Sequence, residues 1–408
     1  MSKEKIIAGV DIGNHKIRTV IAVYDPEKKE SNILGIGVSP CHGLRKGNVV
    51  DPEELTMNIS ASLEDAERMS GIPISHVFVA VGGTHLQCIS SRGVVAIGGK
   101  EITEDEVIRV QEAAEAVSLP QNRYRLRTVP RGYTVDDQDG IKNPVGLSGI
   151  RLEIDAHIIS GQKQTIENIE RTVQQAGVDI DDIIPGFLAA SEAVLTRRQK
   201  ELGVVLIDIG ADCTNVVVYE EGVIVHAVIL PIGGGSVTND IAIGLRTSVD
   251  TAEKIKIEYG TTLPEEVRES ETIDLSLISK IDTQKVSKKH LAEIIQARYH
   301  EIFIMVKDEL RAIKRDGMLP AGAILTGAAV KMSGAIDIAR DTLGLPVQIG
   351  FPQGVSGVVD KIDDPSFATA AGLAVWGGKH DPIHYGLKLP NIGKVFSGIG
   401  NLFKKLLP

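Results

Sequence analysis

Two short segments, one in each half of the chain, constrain the fold more than any other feature. Val10-Asp11-Ile12-Gly13-Asn14 precedes an apolar-rich run from Ile17 to Val23, and Leu206-Ile207-Asp208-Ile209-Gly210-Ala211-Asp212 precedes another from Val216 to Tyr219. Each reads as an apolar strand ending in Asp-x-Gly, a tight turn, and a second β-branched strand. One such turn is ordinary turn chemistry. A matched pair, about half of the 408-residue chain apart, predicts two related domains facing each other across a cleft.

Length alone calls for two or more domains. With 43% hydrophobic and 24% charged residues the composition is that of a globular protein, and the net charge of −10 opposes a nucleic-acid surface. Cys41, Cys88 and Cys213 are scattered and odd in number. That excludes a disulfide framework and fits a reducing cytosol. The N-terminus enters a strand without an apolar leader, so no signal peptide is expected. No run of about 18 apolar residues offers a membrane span.

Along the chain, residues 6–23 read as a hairpin around Gly13 and 33–38 as a further strand. Residues 53–69 carry Leu55, Ile59, Leu63, Ala66 and Met69 at helical spacing, and His76 to Val81 is a strand stopped by Gly82-Gly83. Residues 84–160 read as an insertion: a β-like stretch (85–97), a helix opened by the capping box Thr103-Glu104-Asp105-Glu106, and the strand Leu152 to Ile159. Helices are expected over 163–177 (closed by Gly177), 185–197, 237–259, 288–315 and 366–376, strands over 226–232, 323–326 and 346–349, and a linker over 377–390.

The twin turns suit a nucleoside triphosphate with its metal. Glycine allows close backbone approach, and successive N–H groups at such a turn make an anion-binding concavity. Asp11 and Asp208 cannot ligate phosphate, but they can hold Mg²⁺ through its retained waters. Gly13, Asn14 and His15 lie at the first turn, with Lys16 just beyond as a point charge; Gly210, Ala211 and Asp212 form the second. Gly233-Gly234-Gly235 follows a strand and opens a helix, where the dipole favours anions. Thr326-Gly327-Ala328-Ala329 would let a flat base lie close to the backbone. Neither the dinucleotide fingerprint nor the P-loop pattern is present.

Asp11-Ile12-Gly13, Asp208-Ile209-Gly210 and Thr326-Gly327-Ala328 resemble the phosphate-1, phosphate-2 and adenosine motifs of the actin/Hsp70/sugar-kinase superfamily. Residues 185–195 and 367–376 resemble its connecting helices, all in the superfamily's order. Within it the chain is similar to the FtsA family of bacterial cell-division actins. The features that carry this are the insertion, the loop Ser39-x-x-x-x-Leu44-Arg45-Lys46-Gly47-x-Val49-Val50-Asp51, and the tail. The resemblance implies an α/β fold of two duplicated actin-like (ribonuclease H-like) domains around a nucleotide cleft. Domain I would comprise 1–83, 161–195 and 355–378, with the inserted α+β subdomain at 84–160. Domain IIA would comprise 196–236 and 316–354, and IIB 237–315. A linker (379–390) and an amphipathic helix (391–408) would follow. ATP and Mg²⁺ are the implied cofactors. Ala252-Glu253-Lys254-Ile255-Lys256 resembles the stretch that contacts ribose and adenine in bacterial actins, so Glu253 and Lys256 join Gly327, Ala328 and Met332 as expected adenosine contacts. Superfamily members often orient the attacking water with a Gln or Glu opening the first connecting helix. Pro185 stands there in this chain, with Glu192 the nearest carboxylate, so at most a weak ATPase is expected.

The tail speaks for itself. On an ideal helix Ile392, Val395, Phe396, Ile399, Leu402, Phe403, Leu406 and Leu407 fall within an arc of roughly 140°, with Lys394, Lys404 and Lys405 opposite and no acidic residue after Asp381. Such a basic amphipathic segment suits a membrane interface. The family resemblance further implies head-to-tail self-assembly on the cytoplasmic membrane face at the division site, other divisome partners on the 84–160 insertion, and the C-terminal tail of FtsZ on the helix-rich subdomain. There Arg298, beside Glu301, would pair with an acidic peptide. The rival readings are an actin-like scaffold of a pilus or secretion machine and, further off, a small-molecule kinase, for which no convincing Asp base is visible.

Overall fold

A computed structural model describes residues 4–98, 101–280 and 282–380. The first hairpin, β1 (Lys5–Ile12) and β2 (Lys16–Asp25), is extended by antiparallel β3 (Glu30–Pro40). Helix α1 (Pro52–Ser70) covers this meander; Asp51 caps it by accepting from the Glu54 amide, and Gly71 ends it at φ 71°. Leu55, Ile59, Leu63 and Ala66 are buried as their spacing predicts, but Met69 is exposed. In the last turn it is Ser70 that lies over the sheet, 2.8 Å from where a β-carbon on Gly35 would stand. β4 (His76–Val81) then pairs parallel to β1.

The insertion forms its own antiparallel sheet: β5 (Gln87–Ala96), helix α2 (Glu104–Glu115), β6 (Arg123–Val135), β7 (Gln138–Ile141) and β8 (Arg151–Gln162), in the order β5-β8-β6-β7. A small core of its own includes Val110, Tyr133, Leu152 and Ile154. Its strands β5 and β6 also lie against β12 of the second half (Val223–Leu230).

The chain returns through α3 (Lys163–Gln175), with Gly177 left-handed just beyond it, and then adds a strand that periodicity missed, β9 (Asp179–Pro185). Asp179, Asp181 and Asp182 interrupt the apolar alternation of this stretch, to which sequence reading assigns no element. Yet Ile183 and Ile184 are buried, and buried Asp182 is paired with Arg127 of β6. Pro185 is the last strand residue and the N-cap of α4 (Gly186–Val194), so the expected 185–197 helix is shorter; the separate helix α5 (Arg197–Leu202) follows.

The second half repeats the first. β10 (Val204–Ile209), β11 (Thr214–Glu220) and β12 form an antiparallel meander. Helices α6 (Gly234–Leu245) and α7 (Val249–Tyr259) replace the single helix expected over 237–259. The break falls where Arg246 turns left-handed (φ 54°) and Ser248 caps α7 by accepting from the Thr251 amide. Helix α8 (Lys288–Ala312), β13 (Ala323–Thr326), α9 (Ala335–Leu343), β14 (Val347–Ile349), β15 (Val355–Gly357) and α10 (Ala368–Lys379) complete the described chain. The two large sheets run β9-β4-β1-β2-β3-β15 and β12-β11-β10-β13-β14. In each, a three-stranded meander is followed by two parallel strands beside its first strand. This is a duplicated actin-like α/β fold. The central strands are buried on both faces, which accounts for their near-continuous apolar runs.

The helices α4 and α10 pack together between the two sheets. Their small residues are a steric requirement: a β-carbon on Gly372 would lie 1.9 Å from the Ala189 carbonyl oxygen. Helix α10 runs to Lys379, so the linker expected from 377 begins later; His380 stacks on Trp376 at 4.1 Å. The tail residues Ile392, Val395, Phe396, Ile399, Leu402, Phe403, Lys404, Lys405 and Leu406 lie outside the described residues. Among the described residues no helix is long and apolar enough to cross a membrane. Gly372→Ala should force α4 and α10 apart and destabilise the fold by about 1–3 kcal/mol. Thermal denaturation should show its first transition lowered, and an unchanged transition would contradict this packing.

Candidate functional site

Both Asp-x-Gly turns close at the same end of their sheets. In the first, β1 pairs with β2 up to Ile12 opposite Ile17, leaving only Gly13, Asn14, His15 and Lys16 to turn the chain. A β-carbon on Gly13 would meet the Lys16 carbonyl oxygen at 2.8 Å, so the turn is too tight for another residue. The turn is anchored by its neighbour loop: the Gly47 amide donates to Asn14 Oδ1 at 2.9 Å, and the Cys41 amide donates to the His15 carbonyl at 2.9 Å. In the second turn the Gly210 amide donates to the Cys213 carbonyl at 2.9 Å. The glycine-rich segment is laid directly on it, with the Gly234 amide donating to Gly210 at 2.9 Å and the Gly235 amide to Ala211 at 2.7 Å. A β-carbon on Gly233 would stand 2.6 Å from both carbonyl oxygens.

One hydrogen bond joins the halves at this point. The Lys46 amide, from the loop that braces the first turn, donates to Asp212 Oδ2 of the second at 2.9 Å. The segment Leu44-Arg45-Lys46-Gly47 therefore ties both turns together, which motif reading alone did not assign to it.

The adenosine-type turn lies beside Asp208. Gly327 has φ 92°, and a β-carbon there would fall 2.5 Å from Asp208 Oδ1 and 2.6 Å from the Ile209 carbonyl. Its amide donates to Pro365, as does the buried Thr326 hydroxyl, fixing the loop before α10 against β13. Ala328 is exposed at the start of a short 3₁₀ turn, and Met332 packs at its end beside Gly260. Tyr299 of α8, absent from the expected set, holds this turn by donating from its hydroxyl to the Ala329 carbonyl at 2.6 Å. Lys256 reaches from α7 over the N-terminus of α6. It donates to Glu253 Oε2 at 2.5 Å, to the Thr238 hydroxyl at 2.8 Å and to the Gly234 carbonyl at 3.2 Å. Glu253 and Lys256 are also close enough to His15 of the opposite half to influence its titration, though burial is the main reason its pKa is lowered.

The electrostatics of the cleft centre on two half-buried carboxylates, Asp11 and Asp208. Burial pushes Asp11 up to about 7; the Arg18 guanidinium opposes this and the Asp208 carboxylate adds to it. Asp208 is raised by burial against a hydrogen bond from Asn215 (2.9 Å) and the charge of Arg18. Arg18 stands directly across the β1–β2 ladder from Asp11, as Asn215 stands across β10–β11 from Asp208. Its guanidinium lies 5.3 Å from the Phe367 ring centre, and its buried Nε has no hydrogen-bond partner among the described residues. Arg18 did not emerge from the motifs. Its one sequence signal is a lone charge inside the apolar run of β2. The arrangement can accept a divalent cation between two carboxylates and an anion against two glycine-rich turns.

Two expected residues are placed elsewhere. Glu192 accepts from Lys200 Nζ at 2.6 Å and Lys379 Nζ at 2.8 Å. Although burial works against ionisation, these two ammonium groups hold its carboxyl down at about 2. It lines a separate cavity with residues of the insertion. A carboxylate so stabilised is a poor water-activating base, and the structure places it in ion pairs with Lys200 and Lys379 rather than beside the two turns. Arg298 is already engaged: it donates to both oxygens of Asp240 at 2.5 and 2.8 Å and to Glu301 at 2.5 Å. Glu301 is thus a partner of Arg298 within α8, and an acidic peptide would have to displace Asp240.

Comparison with known proteins decides the family. A family model described as "Cell division protein FtsA" matches residues 205–372, and one described as "SHS2 domain inserted in FTSA" matches 83–160. The cell division protein FtsA of Pseudomonas aeruginosa is 37% identical over 373 residues, covering 91% of this chain and 89% of that protein. The FtsA of Escherichia coli K12 is 32% identical over 415 residues, covering 98% and 96%. The chain belongs to the FtsA family. This makes it an actin-like cell-division protein. Among solved structures, the PilM–PilN type IV pilus biogenesis complex matches with TM-score 0.67 at 17% identity, over 91% of this chain and 98% of that one. MreB5 of Spiroplasma citri bound to ADP matches at 0.54 and 12%, over 92% and 97%. At these identities they show that the FtsA-family chain shares their fold.

Because Glu192 titrates lower when folded, its contribution is complete above about pH 4.5 and is lost as pH falls through about 2. Glu192→Gln should lower stability at neutral pH by about 1–3 kcal/mol. In denaturant titrations the gap from the parent should narrow as pH drops from about 5 toward 2. A gap independent of pH would contradict the ion-pair assignment.

Proposed function

We propose that this FtsA-family protein binds Mg·ATP between its two Asp-x-Gly turns and uses it to hold the two halves in one arrangement. That arrangement would support head-to-tail polymers on the cytoplasmic membrane face at the division site and tether FtsZ there. The observation that carries the reading is the placement of half-buried Asp11 and Asp208 close enough for the Asp208 charge to raise Asp11, with the charge of Arg18 opposing the rise at both and an Asn215 hydrogen bond opposing it at Asp208. Like charges buried together are costly unless compensated. Two carboxylates suit a magnesium ion that takes its other ligands from water and phosphate oxygens.

Gly13, Asn14, His15 and Lys16 on one side, with Gly210, Ala211 and Asp212 on the other, would flank the phosphates. Gly233, Gly234 and Gly235 would add the N-terminus of α6. Gly327, Ala328 and Met332 would form the floor under adenosine, with Glu253 and Lys256 at its edge. The magnesium ion would neutralise the phosphates and the paired carboxylates together. That a structure sharing this fold holds ADP supports a nucleotide here. Since Glu192 is tied to two lysines and Pro185 opens α4, no carboxylate stands ready at the head of the connecting helix. The role of nucleotide is then to bind and hold, with slow turnover.

The basic, apolar-faced segment 391–408 would lie in the membrane interface. The insertion would receive other divisome proteins, and Arg298 an acidic FtsZ tail after exchanging partners with Asp240.

Gly327→Ala should cut Mg·ATP affinity by at least tenfold, because the β-carbon displaces Asp208; calorimetry showing equal affinity would count against the site. Asp240→Asn should strengthen binding of an FtsZ tail peptide and Arg298→Ala should weaken it, whereas indifference of both variants would remove Arg298 from that interface. In liposome flotation with ATP, a chain ending at Pro390 should stay in solution while the full chain floats; equal flotation would refute the tail's role.

A further inference from the structure

A second charged cavity lies away from the cleft, where three parts of the molecule meet. Its volume is about 380 Å³, within the range that holds a small ligand. The insertion supplies its upper wall through Pro130 to Tyr133 and Lys142, α4, α5 and the end of α10 supply another, and the β11–β12 turn at Glu221-Gly222-Val223 supplies the third.

Its lining carries five cationic side chains and three carboxylates. Two of the carboxylates are spoken for: Glu192 is bonded to Lys200 and Lys379, and Glu201 to Arg197. The remaining charges are Arg131, Lys142 and Glu221. Among the described residues neither Arg131 nor Lys142 has an ion-pair partner, and the buried Nε of Arg131 makes no hydrogen bond. His157 near Arg131 adds no further positive charge: burial, helped by the Arg131 charge, lowers its pKa to about 4, so it is neutral at physiological pH. Lys142 hangs over the opposite wall, its Nζ 3.8 Å from where a β-carbon on Gly222 would stand. A buried guanidinium Nε without an acceptor is costly to maintain, and the surplus of two positive charges around a half-open cavity favours a dianion.

We propose that this cavity is a binding site for a small phosphomonoester, of sugar-phosphate size, gripped by Arg131 and Lys142 of the insertion against α4, α5, the end of α10 and the β11–β12 turn. Its phosphate accepts from the Arg131 guanidinium and the Lys142 ammonium. Glu221, the one lining carboxylate without an ion-pair partner among the described residues, limits affinity by repulsion. Because the cavity walls belong to the insertion and to the second half, occupancy stiffens the seam where β5 and β6 lie against β12. The site therefore joins the posture of the insertion to the level of a soluble phosphate compound, independently of what the cleft binds.

The test titrates the full-length protein with glucose 6-phosphate, and in parallel with inorganic phosphate, by calorimetry. Hydrogen exchange locates the binding. The parent protein should bind glucose 6-phosphate with submillimolar Kd and gain protection at residues 130–133 and 220–223. Lys142→Gln, at an exposed position that leaves the fold intact, and Arg131→Gln should each weaken binding at least tenfold; Glu221→Gln should tighten it. Equal affinity for inorganic phosphate would still support the site, as one that reads only the phosphate. No binding up to roughly 10 mM, protection confined to residues 11–16 and 208–212, or affinity unchanged in the Lys142 and Arg131 variants would overturn the proposal.

Discussion

The structure depends on one electrostatic circumstance: two half-buried aspartates brought to the same cleft, offset by the charge of Arg18 and, at Asp208, by a hydrogen bond from Asn215. Asp11 and Asp208 end the central strands of two sheets of the same topology. Burial raises both carboxylates above their ordinary titration, and the Asp208 charge adds to the rise at Asp11. Fully compensated, such a centre would be inert. Arg18 offsets it only in part, its Nε left without an acceptor. The cleft is thus built with charge to spare, and a cation bridging the two turns would relieve it.

The duplication is topological, and chemistry has diverged on it. Across the ladder from Asp11 stands Arg18; across from Asp208 stands Asn215, which donates to it. The first turn is braced by the loop at Gly47 and the second by the glycine-rich entry to α6. The bond from the Lys46 amide to Asp212 makes the two braces one unit. Small residues in α4 and α10 then let the sheets approach closely enough for such contacts, since the Gly372–Ala189 contact leaves no room for a methyl group.

Much of this was legible in the sequence because it is local. Asp-x-Gly after an apolar strand specifies its own turn, and the small-residue helices declare close packing by composition. The 84–160 insertion was visible because its capping box and strands break the pattern around it. What was not legible depends on partners distant in the chain. Strand β9 hides behind three aspartates, one of which is buried on Arg127. The break between α6 and α7 rests on one left-handed arginine. Glu192 looked like the nearest spare carboxylate because Lys379 lies far along the sequence, and Arg298 looked free because Asp240 sits on a different helix. Arg18 and Tyr299 matter through what they face, which no motif of their own announces.

A double-mutant cycle on Mg·ATP affinity probes the central claim most directly, using Asp11→Asn, Asp208→Asn and the pair, each with and without magnesium. If the two carboxylates act through one shared ion, either change alone should cost at least tenfold with magnesium and little without it, and the second change should add almost nothing. Losses that simply add, or an affinity that ignores magnesium, would contradict the account.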